Sequence, residues 1–178
     1  MAEAAEAAEV GPMAAVAGAL ADLAVDVMLR CGARLAVVEN GGEVAAKTDR
    51  PIYVAILSAN PSISGKMSFE ITDVDCPIGI ATSSSRFGHA LSFGNADSVT
   101  VVADRASIAD AAATSICNAV SGGDIEVSIR IGFRRAEEIR GVRGILITRG
   151  GRVGLKGRLP KIVKITDNPR ESRNGSLR

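Results

Sequence analysis

The chain has 178 residues, enough for one domain, and 47% of them are apolar, many of these Ala and Val, so the core must be built from small side chains. Aromatic residues make up only 3%, too few to supply stacking platforms for single-stranded nucleic acid. Three scattered cysteines (Cys31, Cys76, Cys117) without a C-x-x-C spacing argue against a zinc knuckle or a dithiol redox site and fit a reducing cytoplasm.

The net charge of +1 hides an asymmetry. Residues 130–178 carry 14 Lys+Arg against 4 Asp+Glu, and the rest of the chain carries 7 against 16. A basic end of this kind suits a phosphate-bearing ligand, nucleic acid or an anionic partner, and equally a solvated soluble end. Residues 1–166 read as one domain and 167–178 as a flexible polar tail.

From the N-terminus, "AEAAEAAE" is a short helical segment broken by Gly11-Pro12. Met13, Val16, Leu20, Leu23 and Val27 then recur at spacings of three and four, the apolar stripe of a helix, with Gly32 as its C-terminal cap. The run "VGPMAAVAGALADLAVDVML" is long enough to suggest a membrane span. Asp22 and Asp26 inside it, off the stripe, favour a packed helix, and the acidic N-terminus is no signal peptide.

The period next changes to two. Residues 34–57 read as a β-meander turning at Asn40-Gly41-Gly42, and further strands are expected at 66–72, 78–82 and 97–103. "SIADAAATSICNAV" is a helix that Ser107 should cap, ended by Gly122-Gly123. In 124–140, alternating Ile125, Val127, Ile129, Ile131 and Phe133 fit a strand, but the four-residue spacing and "RRAEEIR" favour helix in the later part. Strands at 144–148, 152–156 and 161–165 finish the chain. Strands interleaved with a few helices, without regular βαβ alternation, indicate an α+β fold.

Familiar site motifs are absent. "SISGK" lacks the upstream glycine of a P-loop, and no G-x-S-x-G elbow accompanies the serines near His89. One histidine and dispersed cysteines make a catalytic zinc site improbable. What remains is Asp110 and Thr114, four apart and so on one helix face: a carboxylate and a hydroxyl able to hold a hard cation such as Mg²⁺, or else a solvated Asp and a helix-facing Thr.

"VVENGGEV", "GIATSSSRFGHA" and "SVTVVADRASIADAAATSI" resemble segments of the ApbE superfamily of flavin transferases, and together with "VGPMAAVAGAL", which precedes them in the chain, they are most similar to a sister family of uncharacterised archaeal and bacterial proteins. The resemblance implies an ApbE-like fold, a mixed or antiparallel sheet packed with a few helices. It also implies Asp110 and Thr114 as Mg²⁺ ligands, and FAD or another phosphate-bearing nucleotide held by Asn40, Gly41, Gly42, Glu43, Thr82, Ser83 and Ser84. His89 is then the acid or base, or a structural histidine. It implies a small-molecule nucleotide as partner, with a homodimer left open; Asp22 and Asp26 argue against a membrane and the low aromatic content against nucleic acid. Where transferases follow their histidine with Ile-Asp-Pro, His89 is followed by "ALSFGNAD". A retained phosphate–metal site with altered chemistry is therefore expected, as a Mg-dependent transferase or nucleotide-processing enzyme. The alternatives are a factor in sulfur assimilation into homocysteine using Cys76 or Cys117, and a non-catalytic binding module using the basic end. Members of the family begin with several strands before the "VGPMAAVAG" motif, so an N-terminally shortened chain is expected, which the intact mass of the native protein tests.

Overall fold

A computed structural model describes residues 1–58, 60–84 and 94–165. Four helices, α1 (Ala2–Ala7), α2 (Val16–Arg30), α3 (Ala106–Ala119) and α4 (Ile125–Glu138), accompany nine strands: β1 (Ala36–Asn40), β2 (Glu43–Lys47), β3 (Ile52–Ala55), β4 (Met67–Ile71), β5 (Ile78–Ser83), β6 (Ser98–Ala103), β7 (Val142–Arg149), β8 (Arg152–Gly157) and β9 (Lys161–Lys164). The expected α+β class holds. The six-stranded sheet runs β1-β2-β5-β6-β7-β8 and the three-stranded sheet β3-β4-β9. Every described pairing is antiparallel.

The large sheet lies between the helices and the small sheet, and strand alternation sends each side chain to one layer or the other. Ala81, Val99, Val101, Ala103, Ile145 and Ile147 join α3 and α4 in one apolar cluster. Val44, Ala46, Ile78, Ile80, Val102 and Leu146 face the other way, against Ile56, Phe69 and Ile71. Small residues set the spacing on the helix side. A Cβ on Gly79 would run into the Ala106 backbone, and one on Gly18 into the Ala106 carbonyl, so β5, α2 and α3 meet backbone to backbone.

Three expectations are corrected. The meander over 34–57 breaks after β2, because β3 leaves to pair with β4 in the other sheet. Helix α4 begins at Ile125, so the alternating apolar residues belong to its first turns, and Asp124 caps it by accepting the Val127 N–H at 2.9 Å. Ser107 does not cap α3; that helix starts one residue earlier, and its end is capped from another element, as described next.

The apolar stripe of α2 is also reversed. Leu20, Leu23 and Val27, and Met13 in the 3-10 turn that precedes the helix, are exposed, while Gly18, Ala21, Asp22 and Val25 are buried. Asp22 is responsible. Its Oδ1 accepts from the Ala106 N–H at 2.9 Å, and its Oδ2 from the Ser107 N–H at 2.9 Å and the Ser107 hydroxyl at 2.7 Å. Arg105 adds an ion pair to Asp22 at 3.4 Å and another to Asp26 at 2.7 Å. A buried carboxylate with these donors at a positive helix end is well compensated, and it fixes which face of α2 packs inward.

Candidate functional site

Of the expected site residues, Asn40, Glu43 and Asp110 converge where α2 begins. The β1–β2 hairpin turns through Gly41 and Gly42, with φ of +72° and +111°, between the paired residues Asn40 and Glu43. Both glycines are in the left-handed range that this tight turn requires. The Glu39 carboxylate accepts from the Gly42 N–H at 2.6 Å and braces the turn.

Alternation along β1 and β2 places Asn40 and Glu43 on the face that carries α2, the same face as Ala36, Val38 and Ala45. The Asn40 side-chain amide donates to the Ala17 carbonyl at 3.1 Å, tying the turn to the first turn of α2. One residue on, the Gly18 N–H donates to Asp110 Oδ2 at 2.9 Å. Gly18 carries one of the N–H groups that a helix start leaves unpaired, so Asp110 is a capping carboxylate as well as a candidate ligand. Its Oδ1 takes no hydrogen bond among the described residues.

The electrostatics follow from this geometry. Glu43 has its pKa pushed up from 4.5 to about 7, first by burial and then by the charge of Asp110. Burial also raises Asp110, and the Gly18 N–H opposes that rise. Two half-buried carboxyl groups thus share one corner, and the Asp110 charge disfavours ionisation of Glu43. Thr114 lies one turn further along α3, on the same less-buried edge as Asp110.

The hydroxyl run behaves differently. Thr82 faces the small-sheet side and is hydrogen-bonded to its cross-strand partner Thr100 at 2.9 Å. The sheet therefore lies between the Thr82 hydroxyl and Asp110. Ser83 falls on the helix side at the end of β5, and the Ser84 hydroxyl donates to the Asp97 carbonyl at 2.6 Å. His89 lies outside the described residues, as does the 167–178 tail.

Sequence reasoning missed Gly18 and Asp22, the two α2 residues that position α3 and its Asp110. Asp22 had a signal: a carboxylate inside an apolar helix must find donors or stay wet. Gly18 had none.

With this geometry in view, comparison with known proteins places the chain. The family model described as AbpE bacteria matches residues 1–140. The chain belongs to that family. A UPF0280 protein of Methanopyrus kandleri is 45% identical over 168 residues, covering 93% of this chain and 67% of its own length. A UPF0280 protein of Methanocaldococcus jannaschii is 40% identical over 166 residues, covering 92% and 67%. Among solved structures, the apbe protein of Thermotoga maritima superposes with a TM-score of 0.57 at 18% identity, over 79% of this chain and 48% of that one. The apo flavinyl transferase ApbE of Pseudomonas stutzeri gives 0.54 at 20%, over 81% and 46%. At such identities the likeness is one of fold. This AbpE-family chain spans about two thirds of the curated relatives and about half of the solved structures.

The residues present suit a hard cation. Asp110 and Thr114 are oxygen donors on one helix edge, Glu43 is a second carboxyl near Asp110, and Asp110 Oδ1 has no hydrogen bond among the described residues. Among the described residues no group of three or more His, Cys, Asp or Glu could hold a metal. The protein donors therefore suffice only for an ion that keeps waters and substrate phosphates as its other ligands, as Mg²⁺ does.

Proposed function

We propose that this protein binds a flavin nucleotide or a related phosphate-bearing nucleotide, with a divalent cation, in the corner formed by the start of α2, the β1–β2 turn and the outer edge of α3. The observation that carries this reading is the Gly18–Asp110 hydrogen bond, which fixes one carboxylate oxygen of a group whose charge reaches Glu43. The solved relatives of the same fold include a flavinyl transferase, which gives the nucleotide its chemical class.

In this reading Asp110 and Thr114 hold the cation, and a bound Mg²⁺ supplies neutralisation of phosphate charge. Gly41 and Gly42 let the backbone of the turn approach the ligand, and Asn40 keeps that turn docked on α2. Ser83 supplies a hydroxyl and N–H at the strand end. Glu43, its pKa raised to about 7, exchanges its proton near neutral pH, and a bound cation competes with that proton. His89 keeps its role as candidate acid or base within the proposal.

Burial weighs against a thiol-based reading. The Cys76 thiol is pushed up by burial, which disfavours the thiolate that sulfur transfer requires, and Cys117 is buried away from any substrate.

The test is titration with FAD with and without Mg²⁺, followed by a search for released FMN and AMP. Binding that requires Mg²⁺ and is lost in Asp110→Ala, with the fold intact, supports the site. Unchanged binding in that variant removes it. Product release would make the protein an enzyme.

A further inference from the structure

Arg149 differs from the other poorly exposed arginines. Arg135 donates to the Ser115 hydroxyl, the Ala8 carbonyl and the Glu138 carboxylate. Arg143 donates to the Asp104 carboxylate and to the Asp75 and Pro77 carbonyls. Arg149 is buried more deeply than either, at 7% exposure. Yet its Nη2 donates to the Gly122 carbonyl, and its buried Nη1 has no acceptor. No carboxylate pairs with it among the described residues. Asp97, close by in the chain fold, spends its Oδ2 on the Gly150 N–H at 2.7 Å. A guanidinium taken out of water needs a counter-charge as well as acceptors, and a neutral carbonyl supplies only the second.

A second cation stands beside it. Arg149 and Arg152 are direct partners across the Gly150-Gly151 turn, so both side chains leave the sheet on one face, the face that carries α4. Like charges directly opposite one another destabilise a hairpin. Arg152 is exposed and makes no ion pair among the described residues. The surrounding charge does not relieve the pair: residues 139–166 carry eight Lys+Arg and no Asp or Glu.

We propose that Arg149 and Arg152 form a phosphate site at the β7–β8 turn. A phosphate oxygen on Arg149 Nη1 supplies the acceptor and the counter-charge together, and the doubly charged group also cancels the repulsion between the two guanidinium groups. The way in runs past Gly122 and Gly123, where a Cβ would meet nothing within 4 Å, and Arg152 reaches the anion from the solvent side. The site does not depend on the cation corner. Val44 of β2 aligns through Ile80 and Val102 with Gly144 of β7. Arg149 is therefore three strands across and five residues along, on the order of 20 Å from the β1–β2 turn.

Titration with inorganic phosphate at constant ionic strength, read as melting temperature, tests the site. The wild-type melting temperature should climb by roughly 5–10 °C at about 100-fold over the dissociation constant. Arg149→Met should lose that climb. Without phosphate it should melt no lower than the wild type, because it removes an uncompensated charge. Arg152→Gln alters an exposed side chain and should weaken phosphate about five-fold. Asp110→Ala should leave the phosphate response unchanged, so failure of the cation corner and failure of this site are told apart. FMN in place of inorganic phosphate identifies the source: a tighter response that still needs Arg149 assigns the site to a nucleotide phosphate, and an equal or weaker one to free phosphate. A wild-type response no larger than that of Arg149→Met overturns the proposal, as does unchanged phosphate affinity in Arg152→Gln. So does an Arg149→Met chain that is unfolded or markedly less stable than the wild type in phosphate-free buffer, which would make Arg149 a structural residue.

Discussion

The Asp22 carboxylate of α2 accepts both the backbone N–H and the hydroxyl of Ser107, at 2.9 and 2.7 Å, and so caps α3 from a neighbouring helix. It also accepts the Ala106 N–H at 2.9 Å. Three donors on one buried carboxylate join the two helices that carry Gly18 and Asp110. Asp22→Ala removes a cap and strands those donors, at a cost of about 2–4 kcal/mol. Urea unfolding of the two proteins side by side should show the midpoint fall with little change in slope. Asp22→Asn should lose less, since its one carbonyl oxygen still serves some of the donors.

Glycine content alone does not tell which glycines matter, but contact geometry does. A Cβ on Gly18 would collide with the Ala106 carbonyl, whereas one on Gly11 would meet nothing within 4 Å. Gly18→Ala must part α2 from α3 and carry the Asp110 hydrogen bond with it, destabilising by about 2 kcal/mol or more. Gly11→Ala should change stability by no more than about 0.5 kcal/mol. Thermal unfolding of both distinguishes them, and equal melting temperatures would refute the backbone contact.

Glu43 makes stability depend on pH. Its folded pKa of about 7 lies above the ordinary 4.5, so the folded protein holds this proton more tightly than the unfolded chain does. The stabilisation is complete below 4.5 and is lost as the pH rises through 7. In chelator, unfolding free energy should fall across that window by about 1–3 kcal/mol from this group. Glu43→Gln, which cannot ionise, should flatten the fall. Raising pH should strengthen Mg²⁺ binding over the same range, because the cation competes with the proton.

Much of the fold was legible in the sequence because period and punctuation are local. Asn40-Gly41-Gly42 announces a hairpin, and the alternation in 97–103 announces a strand. What period cannot say is what covers an apolar face. The α2 stripe was found correctly yet lies outward, because Asp22 has donors waiting at the start of α3 and the leucines have no partner within the described residues. The meander failed for a related reason: nothing local tells β3 which sheet to join. For the site, spacing alone put Asp110 and Thr114 on one helix edge. The partnership of Asp110 with Gly18, 92 residues away, could only come from tertiary structure. Thr82 shows the converse, since a one-residue difference from Ser83 puts its hydroxyl on the opposite face of the sheet.

On that opposite face a polar patch lies at the edge of the core. Ser98 and Thr148, cross-strand partners on β6 and β7, are 2.8 Å apart, and both reach the Ser58 hydroxyl, at 2.7 and 3.0 Å. Each of the three hydroxyls can donate once and accept once around this triangle, so all are satisfied without water. Ser58 in turn accepts the Asn60 N–H at 3.1 Å, which makes the triangle the anchor of the segment after β3. Thr148→Val preserves shape but opens the ring and leaves two buried hydroxyls competing for one bond, a loss of about 1–2 kcal/mol. Amide exchange of Asn60 to Lys66 should speed up more than exchange in β6, because the sheet ladder survives while the anchor does not. Equal acceleration in both would mean that the hydroxyls stabilise the sheet generally and do not anchor that segment.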